Sequence, residues 1–363
     1  MREAPSRSPA LIVGLALLAA GSACSLFASK KADEKPQDAA PAATAPAARD
    51  WGQTIGGSAY QLAPEDLEES GFAAHADRIG RAQIDTLRLE GPQAAAKVAE
   101  FLTDPSPAVR QRAVDVLAEW GRAAEGATPR ALELLRSSDA EQRLVGAKTL
   151  AAIASPSSED ALERALKDAS PAVAAWARAA LVRAGADCDD HLSEVAESVA
   201  RHPGRIPAEA ADALAVMPCA DPGALADAAE ELLPGLQRED ELGLAATAKA
   251  LGALGPAAAA AVPGLMGLLD TRRPPRVRQA TLFALGRMGA RGAPAVALLA
   301  QELESQSPRF RELAAHALAG IGPAARPAVD PLRKAAQDPE PRVQAAAKRA
   351  LRAILGEGEE VAR

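Results

Sequence analysis

Apolar positions along the chain recur at helical spacing. In residues 275–288, Val277, Thr281 and Leu285 fall on one stripe, the pattern of a helix that packs along one side. A proline opens this stretch and Gly289 follows it, as is typical of the first and last turns of a helix. The stretch therefore predicts an amphipathic α-helix.

One leucine of this pattern returns along most of the chain, at intervals of 31 to 37 residues. The leucines are Leu117, Leu150, Leu181, Leu214, Leu251, Leu285, Leu318 and Leu351. Four residues before them stand the small residues Ala113, Gly146, Ala177, Ala210, Thr247, Thr281, Ala314 and Ala347. A fixed period in this range predicts stacked structural repeats.

The alternation of small and large residues suggests how the repeats stack. Alanine or glycine one turn before leucine lets a neighbouring helix approach closely, while the leucine fills the space above it. A single repeat cannot bury that face alone, but stacked copies bury a continuous core. The abundance of alanine and an aromatic content of only 2% also favour helices over strands.

Each period divides into two helices separated by a short polar turn. In the seventh period we predict helices over about 293–304 and up to 321, and in the eighth over 327–337 and 342–354. The turn and second-helix signatures include residues 104–110, Asp-Pro-Ser-Pro-Ala-Val-Arg. They resemble HEAT repeats, specifically the bacterial kind related to phycobilin-lyase repeats. The resemblance, over about residues 92–355, implies an all-α, right-handed α-solenoid of about eight HEAT-like helix pairs.

The N-terminal segment, residues 1–23, has the pattern of a signal peptide. Its 14-residue, largely apolar run from Ala10 to Ala23 is shorter than the roughly 20 residues that span a bilayer. The run up to Cys24 resembles a bacterial lipoprotein signal, although Gly21 stands where a larger apolar residue is usual. The resemblance implies a lipidated Cys24 and, with Ser25 following it, an outer-membrane protein facing the periplasm or the cell surface. The alternative is ordinary cleavage after Ala23, giving a soluble periplasmic or secreted protein.

Three further segments flank or precede the repeats. Residues 24–64 are rich in Ala, Pro and charge, which predicts a flexible tether behind the anchor. Residues 65–91 predict degenerate capping helices, because Gln83 occupies the small position before Leu87. Residues 356–363 predict a disordered tail.

Charge is distributed unevenly along the repeats. Residues 186–245 hold 14 acidic and 3 basic residues, a net charge of −11, whereas residues 271–355 hold 6 acidic and 15 basic, a net charge of +9. Solvated outer helix faces would account for this distribution. The functional alternative is that an acidic middle and a basic C-terminal half engage different partners.

Two of the three cysteines fall in successive turns between repeats. Neighbouring helices lie about 8–10 Å apart, so Cys188 and Cys219 could approach the Cα spacing of a disulfide, which an oxidising compartment would favour. Two buried thiols are the alternative. A zinc site formed by these cysteines with His191 and His202 is a weaker hypothesis, because the spacing is irregular. We therefore predict no metal and no cofactor.

Three arginines, Arg110, Arg278 and Arg311, occupy near-equivalent positions at the start of second helices. In HEAT families such arginines pair with the acid closing the previous helix or with adjacent carbonyls. The resemblance thus implies a structural ladder.

The function indicated is a non-catalytic scaffold that binds a macromolecular partner, an unidentified protein, on its concave face. A membrane is reached only through the N-terminal lipid, nucleic acid is not a partner, and the protein is a monomer. The alternative is a phycobilin-lyase-like enzyme or chaperone acting on a cofactor-bearing protein. Candidate partner-binding residues on the concave face are Arg112, Asp115, Arg178, Lys249, Arg278, Arg287, Arg311 and Lys348.

Overall fold

The computed structural model describes residues 71–202 and 204–356, all within one unit, Asp50–Arg363. The described residues are helices joined by short turns and contain no strand. The predicted signal peptide, Cys24, the tether, residues 65–70 of the cap and residues 357–363 of the tail lie outside the described residues.

Helix α1 spans Gly71–Glu90 and is followed by eight pairs of an A helix and a B helix, in which the A helix is the shorter one except in the fourth pair. The A helices are α2 (Ala95–Glu100), α4 (Thr128–Leu135), α6 (Glu159–Ala165), α8 (Asp189–Arg201), α10 (Pro222–Leu232), α12 (Val262–Gly267), α14 (Val296–Glu302) and α16 (Val329–Ala335). The B helices are α3 (Pro107–Trp120), α5 (Ala140–Ile153), α7 (Pro171–Ala184), α9 (Ile206–Val216), α11 (Glu241–Leu254), α13 (Pro275–Arg287), α15 (Pro308–Ile321) and α17 (Pro341–Leu355). We number the pairs as units one to eight.

Short 3-10 turns lead into many of the A helices. These turns are Pro92–Ala94, Gly121–Ala127, Pro156–Ser158, Gly255–Ala261, Gly289–Ala295 and Gly322–Ala328. The predicted seventh and eighth A helices began earlier than the observed ones because Ala293 and Pro327 lie within such turns. Polar residues start several B helices: the Ser106 side chain accepts a hydrogen bond from the Val109 amide at 3.3 Å.

The repeated leucines form the core, as predicted. All eight are between 0 and 6% exposed, and the small residues four positions earlier are buried as well. Gly146 shows why the small residue is needed: a Cβ atom there would lie 2.7 Å from the Ala131 carbonyl oxygen and 2.7 Å from the Leu135 nitrogen, both on α4. The B helix therefore lies directly against the backbone of its own A helix. The predicted all-α solenoid is confirmed, and its right-handed sense stays a prediction.

The B helices also pack closely on one another from unit to unit. A Cβ atom at Gly252 on α11 would lie 2.8 Å from the Ala284 Cα atom on α13, and one at Gly286 on α13 would lie 2.7 Å from the Ala317 Cα atom on α15. The A helices of these units touch mainly through their 3-10 turns. The more closely packed row lies on the inside of a curved array, so we call the exposed side of the B helices the inner face.

A side-chain bridge shows that the inner face is concave in the N-terminal half. Lys148 on α5 pairs with Glu209 on α9 at 2.7 Å, across the intervening α7. Two helix spacings amount to roughly 16–20 Å in a flat layer. The two side chains meet over α7, as a concave face in this region would allow.

One described segment, Glu241–Gly267, is long and apolar enough to span a membrane by length and composition. Half of its most apolar window is buried among the other helices. The segment contains α11 and α12, and α11 packs between α9 and α13. Its apolar residues are therefore explained by the core of the solenoid.

Candidate interaction surface

The arginine ladder lies between units, where the turns that join A and B helices stack on one another. Arg311 donates from Nε and Nη2 to the two carboxylate oxygens of Asp338, at 2.7 and 2.9 Å. Its Nη1 donates to the carbonyl oxygens of Ser305 and Gln306, at 2.9 and 3.2 Å. One guanidinium thus donates hydrogen bonds both to carbonyl oxygens in the turn of its own unit and to a carboxylate in the next unit.

The same arrangement recurs at a position that the sequence reasoning missed. Arg143 donates to both carboxylate oxygens of Asp168 at 2.7 and 3.0 Å, and to the carbonyl oxygens of Ser137 and Ser138 at 3.1 and 3.0 Å. The sequence position would have identified it, because Arg143 stands seven residues before Leu150, just as Arg311 stands seven residues before Leu318.

The acid in these pairs belongs to the following unit. The expectation of an acid that closes the previous helix was wrong, because the turns of successive units lie side by side. Arg110 reaches only 3.8 Å from Glu141, yet it donates to the carbonyl oxygens of Asp104 and Pro105 at 2.9 and 3.0 Å. The predicted pairing with adjacent carbonyls is therefore present in this unit.

Arg278 forms the most enclosed pair of the ladder. Its Nη2 donates to both oxygens of Glu302 at 2.8 Å, and each side chain is 10% exposed. The guanidinium also lies over the Phe310 ring, 4.1 Å from its centroid, an attractive cation–π geometry. Glu302, the last residue of α14, takes the place that Asp338 has in the next unit, because the turn segment Ser305-Gln306-Ser307 that follows α14 carries no acid.

Units three, four and five lack the ladder arginine and carry Ala174, Pro207 and Leu244 in its place. Unit four, with Pro207 in α9, shows a replacement. Arg238, from the turn of the next unit, reaches back instead. It donates to the carbonyl oxygens of Ala200 and His202 at 2.7 and 2.9 Å, and to Asp240 at 2.8 Å. The same carbonyls are thus satisfied by an arginine whose sequence position differs from the repeat.

The ladder shifts the ionisation of its acids. Hydrogen bonding from Arg311 holds the pKa of Asp338 below its usual range, against the opposing effect of burial. At Asp168, burial alone would raise the pKa, but bonds from Arg143 and the Ser170 amide lower it. These carboxylates are therefore charged at neutral pH and serve to hold neighbouring units together.

The cysteine pair occupies the stacked turns at the opposite ends of the B helices. Cys188 directly precedes α8 and Cys219 follows α9, and the two are joined as a disulfide with their Cα atoms 5.7 Å apart. This spacing lies within the roughly 4.4–6.8 Å range of protein disulfides. The bridge links units three and four at the level of their B-to-A turns.

On the inner face of the N-terminal half, charges pair between neighbouring helices. Arg88 on α1 donates to Glu119 on α3 at 2.6 Å, and Arg112 pairs with Asp85 across the same two helices. Further along, Lys249 on α11 pairs with Asp212 on α9.

The bridge between Lys148 and Glu209 encloses an aromatic ring. The Trp176 indole donates to the same Glu209 oxygen at 3.1 Å, and the Lys148 ammonium lies 5.5 Å from the ring centroid. Trp176 itself is only 4% exposed. Together with the ion pairs above, this bridge means that many charged side chains of the N-terminal inner face are paired with one another.

The C-terminal inner face differs. Phe283, two residues before its ladder leucine, is 41% exposed, and equivalent positions on α15 and α17 carry His316 and Arg349. Near the start of α13, α15 and α17 a second row holds Arg276, Arg309 and Arg342. We call these six residues the basic inner surface.

Most cations of the basic inner surface have no partner among the described residues. Arg276, Arg342 and Arg349 form no ion pair with a described carboxylate, whereas Arg309 pairs with Glu312 at 3.1 Å. Burial lowers the pKa of His316, and the positive charges of Arg349 and Arg309 lower it further, while Glu312 opposes the shift. At neutral pH this histidine is therefore neutral and its surroundings are positive.

The eight predicted partner-binding residues are divided by the structure. Those on or beside the inner face are Arg112, Asp115, Lys249 and Arg287. Arg278 and Arg311 are enclosed in the ladder, and Arg178 faces the next unit, where it pairs with Glu194 at 2.7 Å. Lys348 lies on the equivalent stripe of α17, the last B helix that the structure describes.

Sequence reasoning missed Phe283 and the Arg276, Arg309 and Arg342 row as surface residues. The available signal was position: all four fall on exposed stripes of B helices once the buried leucine sets the phase. Within residues 71–202 and 204–356, no group of three His, Cys, Asp or Glu side chains is arranged to hold a metal ion.

Comparison with protein families finds one match. The model of the HEAT-repeat family matches residues 95–182 and 296–363, which together are less than half of the chain. No curated protein matches this chain.

Three solved structures illustrate the likeness in fold. An engineered protein is 23% identical, with a TM-score of 0.42, over 72% of this chain and 79% of its own. A chain of the Kap95:Nup1 complex is 14% identical, with a TM-score of 0.45, over 76% of this chain and 44% of its own. A chain from a Kap95p–RanGDP structure is 14% identical, with a TM-score of 0.42, over 73% and 40%. This chain thus spans less than half of the Kap95-complex chains it resembles. The helical pairs show an all-α solenoid, and its residues 95–182 and 296–363 are similar to HEAT repeats.

Proposed function

We propose that this protein is a non-catalytic interaction scaffold that binds a partner protein on its concave inner face. HEAT-repeat solenoids are suited to this role, because stacked units offer a long curved surface whose length grows with each unit. The observation that carries the proposal is the contrast between the two halves of the inner face. The N-terminal half pairs its charges internally, whereas the C-terminal half leaves Phe283 and several arginines exposed.

The alternative of a phycobilin-lyase-like enzyme or chaperone gains no support from Trp176. A bound pigment needs accessible rings for stacking. Trp176 is buried and already engaged by Glu209 and Lys148. We therefore favour the scaffold.

We further propose that the scaffold works outside the cytoplasm of a bacterial cell, held to the outer membrane through a lipid on Cys24. Support comes from the apolar run that precedes Cys24 and the Ala/Pro-rich tether that follows it. The placement of Cys188 and Cys219 adds support, since disulfides persist in oxidising compartments. The mass of the mature N-terminal peptide tests the anchor: an unmodified peptide beginning at Cys24 or elsewhere would contradict it.

Site-specific photocrosslinking tests the scaffold role. A photoreactive phenylalanine analogue replaces Phe283 in one variant and the exposed outer residue Glu163 of α6 in a matched control. In cells that make the protein natively, we expect a discrete crosslinked species from position 283 and a much weaker one from position 163. Equal crosslinking at both positions, or none at either, would contradict binding on the inner face.

A further inference from the structure

The basic inner surface has a geometry that favours a particular kind of partner. Its six residues lie on three successive B helices, in two rows seven residues apart. A helix rises 1.5 Å per residue, so the rows are separated by about 10 Å. Between them lies an apolar floor that includes the half-buried Leu313 and the buried Ala280 and Ala346.

The charge of this surface is not balanced by ion pairs within residues 71–202 and 204–356. Glu312 lies between the two rows on α15, where it is engaged by Arg309 at 3.1 Å and lies 3.8 Å from His316. Arg276, Arg342 and Arg349 keep their charges unpaired among the described residues. Of the acids nearby in the sequence, Glu302 and Asp338 are bound by ladder arginines. Glu340, two residues before Arg342, forms no ion pair with a described residue. A partner must therefore supply negative charge.

The repeat spacing indicates the form of that partner. Neighbouring B helices lie about 8–10 Å apart. A polypeptide in the extended polyproline II conformation advances about 3.1 Å per residue with three residues per turn, so every third side chain lies on the same face. An extended segment that crosses α13, α15 and α17 thus places every third residue opposite a new arginine. Phe283 offers an aromatic surface beside the α13 end of this path, in the other row about 10 Å along the helix.

We propose that the basic inner surface binds an extended, acidic polypeptide segment of the partner, with carboxylates three residues apart facing Arg276, Arg309 and Arg342, and an apolar side chain on Phe283. This inference rests on the proposed scaffold function and names the chemistry of its partner. An anionic lipid surface or a second copy of this chain would be a different occupant. Vesicle binding and self-association distinguish these two occupants from an acidic segment.

The test uses labelled peptides and the full-length protein. The probe is a fluorescent 12-residue peptide with Glu at positions 3, 6 and 9 and Leu at position 5. Its control has the same composition with the three Glu residues contiguous. We expect the spaced peptide to bind more tightly, measured by fluorescence anisotropy, and its affinity to fall steeply as salt is raised.

Charge reversal on and off the surface provides the matched variants. The double variant Arg276→Glu/Arg342→Glu should lower the affinity for the spaced peptide at least about tenfold. The double variant Arg164→Glu/Arg291→Glu makes the same change in net charge at exposed positions away from this surface, and it should change the affinity less than about twofold. Equal losses in both double variants would overturn the inference, because general electrostatic attraction would then explain the binding.

Other occupants give distinct results. Phosphatidylglycerol vesicles that bind through Arg276 and Arg342 while the peptides do not would overturn the inference in favour of a membrane. Self-association in sedimentation experiments that the same double variant abolishes would overturn it in favour of a second copy. If the spaced peptide fails to bind while position 283 still crosslinks one protein, the scaffold function stands and only the acidic-segment inference fails.

Discussion

Gly286 is the position where the packing of the B helices is most directly testable. A Cβ atom added there would lie 2.7 Å from the Ala317 Cα atom and 3.3 Å from the Ala317 Cβ atom. Carbon atoms pack favourably at about 3.5–4.0 Å, so α13 and α15 would have to separate by roughly 1 Å. Because Ala317 contributes backbone at this contact, no side-chain rotation can relieve it.

Two effects of the substitution Gly286→Ala oppose each other. Alanine is favoured over glycine in a helix by about 0.8–1.0 kcal/mol, whereas overpacking a closely packed core costs about 1–3 kcal/mol. Gly267→Ala provides the control, because Gly267 ends helix α12 with no neighbouring heavy atom within 4 Å of a Cβ atom built there. We expect the free energy of unfolding of Gly286→Ala to be lower than that of Gly267→Ala by about 1–3 kcal/mol.

The measurement combines urea unfolding, followed by circular dichroism, with hydrogen exchange. Exchange is needed because a repeat array can open locally without unfolding as a whole. Faster exchange should be confined to α13, α15 and their neighbours. If Gly286→Ala is as stable as Gly267→Ala and exchange is unchanged, the two B helices are not in backbone contact and the account of the inner row is wrong.

Three further predictions concern charges and the disulfide. Arg311→Ala should lower the free energy of unfolding by about 2–3 kcal/mol, since Asp338 and two carbonyl oxygens lose a charged donor. The pKa of Asp338 is lowered in the folded state, so its contribution to the free energy of unfolding is present above its unfolded pKa near 4 and is lost as pH falls through the folded pKa. Asp338→Asn should remove that part of the pH dependence of urea unfolding. An unchanged pH profile would refute the pairing of Asp338 with Arg311. Burial raises the pKa of Asp115, which favours its protonated form in the folded state, so Asp115→Asn should stabilise the protein at pH 7 and lose this advantage below about pH 4 in the same assay. Replacing Cys188 and Cys219 by alanine should lower the free energy of unfolding by about 3–4 kcal/mol, since the disulfide closes a loop of 31 residues. The comparison with the wild type is made without reductant. Equal stability, with free thiols detected in the wild type, would exclude the disulfide.

Much of the fold follows from local sequence. The leucine period, the small residue four positions earlier and the prolines at helix starts each act within one helix pair. They were enough to predict eight pairs and the buried face of each B helix, because burial of one stripe fixes the phase of a helix. The exact start of the A helices was not predictable in the same way. Residues such as Ala293 are compatible with either a 3-10 turn or an α-helix, and packing between units selects the turn.

The candidate surface depended on tertiary structure to a greater degree. Sequence identified Arg278 and Arg311 as possible contacts for a partner, but their acids lie 24 and 27 residues away in the next unit and enclose them. The replacement of the missing ladder arginine by Arg238 likewise joins groups 36 to 38 residues apart.

What the sequence determined by itself is the repeating unit, since periodic burial is a local property of each helix. What only the tertiary structure decided is which charges are left open. On the inner face, Lys148 and Glu209 neutralise each other across α7, whereas Arg276 and Arg342 find no such partner among the described residues. That outcome depends on the tilt and spacing of whole helices, because the strength of an ion pair depends on a distance that no local pattern specifies.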